Sequence, residues 1–391
     1  MSARALRRTP GRERRGSVPS SARAPRVTLS APCIEGNAWT YLKRCLDTGD
    51  VSAGGEYVSR FEAALADYTR APAVVATSTG TAALHLALRL AGVTSGSVVL
   101  APTLTFVATL NAVAYCGAEP WFVDVDPLTW NVSADTLARA LRDARAAGRD
   151  PRFAMVTHLY GVPADLDGIT ALCAREGLTL LEDAAESLGS WWNGRHTGTF
   201  GRAAALSFNG NKIVTAGQGG ALMLTSPDDA ARARHLATQA RVGRAGYTHD
   251  EVGFNYRMAN LNAALGLAQV ESLPSLRLRR RAVQASYQIA LEEFDSLALQ
   301  GVPSGAEVNG WLQGVRVTSR ARCDRDALLA SLDARGIDAR AVFQPMHRQA
   351  MFRACGGACP AAEDVADTAL NLPNGPDTDV PRVIRALREV L

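Results

Sequence analysis

Lysine is nearly missing from this chain. Of 42 basic residues, Lys43 and Lys212 are the only lysines, and the rest are arginine. Arginine serves as well for solvated charge, but its guanidinium stays protonated and makes no imine with an aldehyde. A lysine kept in the turn Ser207-Phe208-Asn209-Gly210-Asn211-Lys212, ahead of Gly217, Gly219 and Gly220, therefore points to amine chemistry. No apolar run approaches the roughly 18 residues that span a bilayer, so no membrane partner is expected. Acid is scarce in residues 1–27, which hold eight arginines against Glu13 alone. That segment carries a net +7 of the chain's +4, so the remaining residues sum to −3. It lacks the apolar core of a secretory signal and reads as a disordered Arg-rich tail. No recognition fold accompanies it, so no nucleic-acid partner is expected. Seven cysteines, an odd number spread over the chain, point to reduced thiols and a cytoplasmic location. Cys355 and Cys359 lie four apart near His347, yet no second pair has zinc-site spacing, so no metal site is expected.

What is present begins with short apolar runs that alternate with helical patterns from about Val51 to Val270. Val74–Thr77, Val98–Leu100, Trp121–Val125, Phe153–Val156 and Leu178–Leu181 read as strands. Ala134–Ala147 and Leu166–Arg175 read as helices. This alternation specifies an α/β fold, a mostly parallel sheet with helices on both faces. A long helical region starts at Asn260, broken or kinked by Pro274, and its run Arg277-Leu278-Arg279-Arg280-Arg281 reads as a solvated face. Asn309–Val317 opens a smaller α+β unit, with a helix over Asp324–Arg335. The expected division is a tail 1–27, a large domain 28–270 and a small C-terminal domain 271–391.

Three segments carry chemistry. Ser78-Thr79-Gly80-Thr81 turns a strand into an apolar helix, and such a helix start exposes N–H groups that suit a phosphate. Leu178–Leu181 ends in Glu182-Asp183, which places Asp183 at the carboxyl end of a strand, where open α/β sheets bind ligands. The third is the Lys212 turn. A phosphate cradle, a carboxylate for a ring nitrogen and an amine for an aldehyde together describe a site for pyridoxal 5'-phosphate.

These segments resemble the sugar aminotransferases named after DegT, DnrJ, EryC and StrS, a family of fold-type-I pyridoxal phosphate enzymes. The likeness rests on Ser78–Leu88, Ala101–Thr109, His158–Asp165, Glu182–Ser190, the Lys212 turn and His249–Met258, in family order. Within that family it is nearest to the LegC-like, pilin-glycosylation branch. The resemblance implies that Gly80, Thr81 and the Ala82 amide bind the cofactor phosphate, with Ser207 adding a contact. It implies that Phe106 stacks on the ring, that Asp183 pairs with the ring nitrogen and that Glu186 lies near the phenolic oxygen. Lys212 would bond the aldehyde, and Asn255 would reach the phosphate of the other subunit of a homodimer with shared sites. The implied reaction aminates a nucleotide-linked 4-keto-6-deoxy sugar, with a 2-acetamido group, using glutamate as amino donor.

Weaker candidates are His158 and His347 as pocket residues, His85 as a packed core residue, and Trp191-Trp192 as surface or interface packing. Arg257, Arg316 and Arg340 are candidate anchors for the nucleotide. A sugar dehydratase or C3-aminotransferase of the same fold is the rival enzyme reading; dehydratases of this kind replace the lysine with histidine. A regulator built on an aminotransferase-like domain would need a helix-turn-helix module, which 27 tail residues cannot hold. Gly210-Asn211-Lys212-Ile213 lacks the spacing of a nucleoside-triphosphate loop.

Overall fold

Alternate residues of the central strands pack into different cores, which is what a sheet covered on both faces requires. Val99, Met155 and Leu181 enter one cluster with the helices Gly80–Ala91 and Pro227–Ala237. Leu100, Ala154, Val156 and Leu180 enter another with the helices Ala134–Ala146 and Leu166–Glu176. The computed structural model describes residues 25–243 and 246–391. The expectation of a disordered tail falls, for residues 1–24, outside the described residues.

The central sheet has seven strands: β1 (Ala73–Thr77), β2 (Val98–Pro102), β3 (Glu119–Val123), β4 (Phe153–Thr157), β5 (Thr179–Asp183), β6 (Ala203–Ser207) and β7 (Gly220–Leu224). Their order is β1-β7-β6-β5-β4-β2-β3. β7 runs against both its neighbours, and all other pairs are parallel. The carboxyl ends of β1, β4, β5 and β6 therefore lie at one edge, followed by Ser78–Thr81, His158, Ala184–Glu186 and Phe208–Lys212. β7 enters from that same edge. Its first residue must be glycine, because a Cβ on Gly220 would stand 2.4 Å from the Thr79 carbonyl.

The expected strands and helices are all present, with ends shifted by one to three residues. Asp324 caps the expected helix, accepting from the Ala327 amide, and the helix itself spans Arg325–Ala334. The small unit has a four-stranded antiparallel sheet of Leu297–Leu299, Gln313–Val317, Ala369–Leu372 and Arg340–Ala341. Trp191-Trp192 form one strand of a three-stranded ribbon, paired with Ala306-Glu307 and Arg195-His196. Trp192 is buried there, and the half-buried Trp191 lies between Arg70 and His196.

Three expectations change. One helix runs without interruption from Asn260 to Leu291, through Pro274 and past position 270. Buried Leu273, Leu276, Arg280, Gln284 and Tyr287 fall on one helical stripe, and their packing holds the helix across the missing proline N–H. Within the basic run, Arg280 is not solvated. It is 1 % exposed and donates to the carbonyls of Trp311 at 3.1 Å and Asn374 at 2.5 Å. Burial holds its pKa down to about 10. Last, the folded body begins before residue 28. Val27 is buried, its amide donates to Gly336 O, and it accepts from the Asp338 amide.

That docking makes a prediction. A chain truncated before Pro25 keeps the Val27 contacts, and one truncated after Val27 loses them. Burial of one valine side chain contributes about 1.5–3 kcal/mol. In thermal denaturation the longer truncation should melt several degrees below the shorter one. Equal melting temperatures would show that Val27 adds nothing to the fold.

Candidate functional site

The carboxyl edge of the sheet encloses a cavity of about 370 Å³. Its lining includes Thr79, Gly80, Thr81, Phe106, Asp183, Glu186, Ser207 and Lys212. Seven of the nine residues proposed from sequence are thus brought together, by four different strand ends and the start of one helix. The exceptions are Ala82 and Asn255.

The helix Gly80–Ala91 begins at the cavity. Thr79 caps it, its hydroxyl accepting from the Ala82 amide at 3.0 Å, and the Ala83 amide donates to Thr79 O. The Ala82 amide is thus spent on the cap. The Gly80 and Thr81 amides lie outside that cap and carry the positive end of the helix. Gly80 sits close under Ser207; a Cβ there would meet the Ser207 Cβ at 3.0 Å. Small residues at both positions leave the helix start open to an anion.

β5 ends in two acids that point to opposite faces. Burial would push both carboxyls up. Glu182 escapes this: His158 and the amides of Gly201 and Gly198 donate to it and take it below its ordinary range. Asp183 has fewer donors. Burial raises it, opposed by the Thr109 hydroxyl at 2.6 Å, the Ala185 amide at 3.1 Å and the charge of Lys212. Glu186, one turn on, is also raised by burial, opposed by Lys212 and the Tyr160 amide. Its two oxygens have separate partners: Lys212 Nζ at 3.3 Å and Tyr160 N at 2.8 Å. Tyr160 has φ of 57°, a left-handed backbone that a bulky residue adopts only under constraint, and that turn aims its amide at Glu186.

Lys212 stands in the loop between β6 and β7, its amide closing a turn onto Asn209 O. Its side chain is 13 % exposed, and Nζ lies 3.9 Å from the centre of the Trp311 ring. Trp311 comes from the segment leading into the small sheet, and its indole N–H donates to Asn211 O at 2.7 Å. Phe106, half-exposed at the start of the helix Val107–Tyr115, faces Phe343 across 5.7 Å.

Other candidates fall elsewhere. His158 is fully buried beneath the edge, donating from Nε2 to Glu182 and accepting the Ala164 amide on Nδ1, so it is not a pocket residue. His347 is held between Thr103 and Glu363 and does not line the cavity. His85 packs in the core against Phe254 and bonds Tyr256, as expected. Asn255 is exposed and does not line its own chain's cavity. Of the three arginines, Arg340 lines the cavity. Arg257 faces Glu62, and Arg316 is bound to Asp364 beside a shallower hollow of about 850 Å³. Thr105, Thr109, Thr157, Tyr160 and Trp311 were not singled out from sequence. Only the recurrence of Thr at 105 and 109, four apart at a helix start, could have marked the first two.

The donor set fits pyridoxal phosphate: open amides at a helix start, a buried carboxylate at a strand end, and an amine in the same cavity. The DegT/DnrJ/EryC1/StrS aminotransferase family matches residues 32–388. The GDP-perosamine synthase of Caulobacter vibrioides is 37 % identical over 94 % of this chain and 99 % of its own length. The putative pyridoxal phosphate-dependent aminotransferase EpsN of Bacillus subtilis is 37 % identical over 90 % of this chain and 91 % of its own. The crystal structure of aminotransferase TlmJ from Streptoalloteichus hindustanus superposes with a TM-score of 0.86 at 31 % identity, covering 93 % of this chain and 98 % of that one. DesV of S. venezuelae gives 0.83 at 31 %, covering 94 % and 98 %. No helix among the described residues is long and apolar enough to cross a membrane. The chain belongs to the DegT/DnrJ/EryC1/StrS aminotransferase family, and is a sugar aminotransferase that works with pyridoxal phosphate.

Proposed function

We propose that this enzyme aminates the C4 keto group of a nucleotide-linked 4-keto-6-deoxy sugar, with glutamate as amino donor. The observation that carries the amino-transfer part of the reading is the contact of Lys212 Nζ with Glu186 at 3.3 Å, in a cavity that also holds Asp183 and Arg340. Relatives named GDP-perosamine synthase, whose product carries a 4-amino sugar, support amination at C4. The proposed acceptor bears a 2-acetamido group. The names of those same relatives favour GDP as the nucleotide.

Bound pyridoxal phosphate would supply an aldehyde carbon that exchanges its oxygen for the donor's amino group and later returns that group to the acceptor, and a ring that accepts carbanion charge. The residues do the rest. Gly80 and Thr81 amides and Ser207 hold the phosphate. Asp183 keeps a proton at the ring nitrogen. Lys212 Nζ is the base that takes the proton from the α-carbon of the donor, for which it must be neutral. Glu186, its carboxyl raised by burial, stands where it can hold the proton that Nζ gives up. The Trp311 face shields Nζ from water. Arg340 offers a fixed positive charge to the nucleotide phosphates.

Three expected outcomes follow from these roles. Borohydride reduction of the cofactor-loaded enzyme, followed by peptide mapping, should place the cofactor mass on the peptide containing Lys212. Lys212→Arg should lose that adduct and lower kcat by more than about a thousandfold. A label on Lys43 instead would overturn the assignment. The second concerns assembly as a homodimer, with Asn255 completing the neighbour's phosphate site. Mixing inactive Lys212→Ala and Asn255→Ala chains should restore activity, since one composite site is then intact. Verified heterodimers that stay inactive would refute the shared site. The third is a panel of UDP-, GDP- and dTDP-linked 4-keto sugars, with and without the 2-acetamido group, each with glutamate. NMR of the product should show nitrogen at C4; amination only at C3 would overturn the substrate reading and leave the cofactor untouched.

A further inference from the structure

Three threonine hydroxyls lie in a row that ends on Asp183, and Thr105 and Thr157 of that row also line the cavity. Thr109 Oγ1 is 2.6 Å from Asp183 Oδ2, Thr105 Oγ1 is 2.8 Å from Thr109 Oγ1, and Thr157 Oγ1 is 3.0 Å from Thr105 Oγ1. All four residues are at most 4 % exposed. They come from separate places in the chain: the loop after β2, the first turn of the helix Val107–Tyr115, and the ends of β4 and β5.

Each hydroxyl has one proton to donate. An ionised carboxylate only accepts, so the Thr109 proton goes to Asp183. Thr109 must then accept from Thr105, and Thr105 from Thr157. The chain has a single direction, Thr157 to Thr105 to Thr109 to Asp183. Successive bonds of one direction polarise one another and strengthen the last.

We infer that Thr157, Thr105 and Thr109 are positioning residues that keep the shared proton on the cofactor's ring nitrogen and off Asp183. The inference rests on the pairing of Asp183 with that nitrogen. The proton has two places to sit, the nitrogen or an Asp183 oxygen. Burial makes Asp183 a stronger base and draws the proton toward it. Donation from the hydroxyl chain weakens that base, so the proton stays on the nitrogen, where it favours catalysis. No other bond forms or breaks. The other ionisable groups around Asp183 are Lys212, Glu186 and the buried His158. Shape-conserving changes at Thr105 or Thr157 leave all of them in place.

The test reads the nitrogen directly. Apoprotein is reloaded with pyridoxal phosphate labelled with 15N in the ring, and solid-state NMR records the resonance; no sugar is present, so the substrate reading is not involved. Thr105→Val and Thr157→Val should each shift the resonance toward the unprotonated pyridine position. Thr105→Ser, which restores the hydroxyl, should leave it at the wild-type position. Thr105→Val should also lower kcat about tenfold with KM unchanged. A folded Thr105→Val or Thr157→Val protein with a wild-type resonance would overturn the inference, as would a Thr105→Ser shift equal to that of valine. Should the Thr105→Val chain not fold, Thr157→Val makes the same test from the far end. Asp183→Asn is the control: if the nitrogen stays protonated there, Asp183 does not govern it and the threonine chain has nothing to transmit.

Discussion

A carboxylate buried at the end of a strand is the constraint around which this site is built. Left alone in a low-dielectric interior, a carboxyl takes up a proton and loses its charge. Asp183 needs donors, and the loop that follows β5 supplies the Ala185 amide. The remainder must come from other elements, so Thr109 and Lys212 are drawn to the same point from a helix start and a loop. Its neighbour Glu182 shows the alternative. Facing the other way, it is bound by His158 and by the amides of Gly198, Phe200 and Gly201, and is locked as a structural anion. Two adjacent acids with equal burial thus differ in duty because they differ in the number of N–H groups aimed at them.

The small unit reaches the site through a second buried charge. Arg280, inside the helix Asn260–Leu291, binds the carbonyls of Trp311 and Asn374 and touches Ser30 at 3.3 Å. Ser30 and the Trp311 indole both donate to Asn211 O, next to Lys212. A guanidinium with its donors on three separate segments holds the lysine turn from behind. A lysine there would offer one compact ammonium group and could not span them. This gives a structural reason for at least one of the arginines in a chain almost without lysine.

Much of this was legible beforehand. Strand and helix periodicity carried the sheet, because residues buried on both faces leave continuous apolar runs such as Val98–Pro102. Strand ends marked Asp183, and the scarcity of lysine marked Lys212. Contacts between distant segments were not legible. Nothing local distinguishes Arg280 from Arg279 and Arg281, since only packing decides which one points inward. His158 looked like a pocket residue because it follows a strand; the hydrogen bond to Glu182 turns it away. The Ala82 amide looked free because side-chain capping by Thr79 depends on a rotamer that the sequence does not display. Pro274 suggested a break or a kink, and tertiary packing keeps the helix continuous through it.

The Leu29 amide donates to Asp338, 309 residues further along, and Leu29 itself lines the cofactor cavity. This closure has a consequence for the order of folding in the cell. A ribosome adding about 5–20 residues per second needs roughly 15–60 s to make the intervening chain. The large sheet, β1 to β7, ends at Leu224 and can pair its strands well before then. The cavity therefore lacks one wall until synthesis is nearly finished. Cofactor capture belongs to the end of the chain's synthesis rather than its middle, although Lys212, Asp183 and the helix start at Gly80 are all in place by the time Leu224 has emerged.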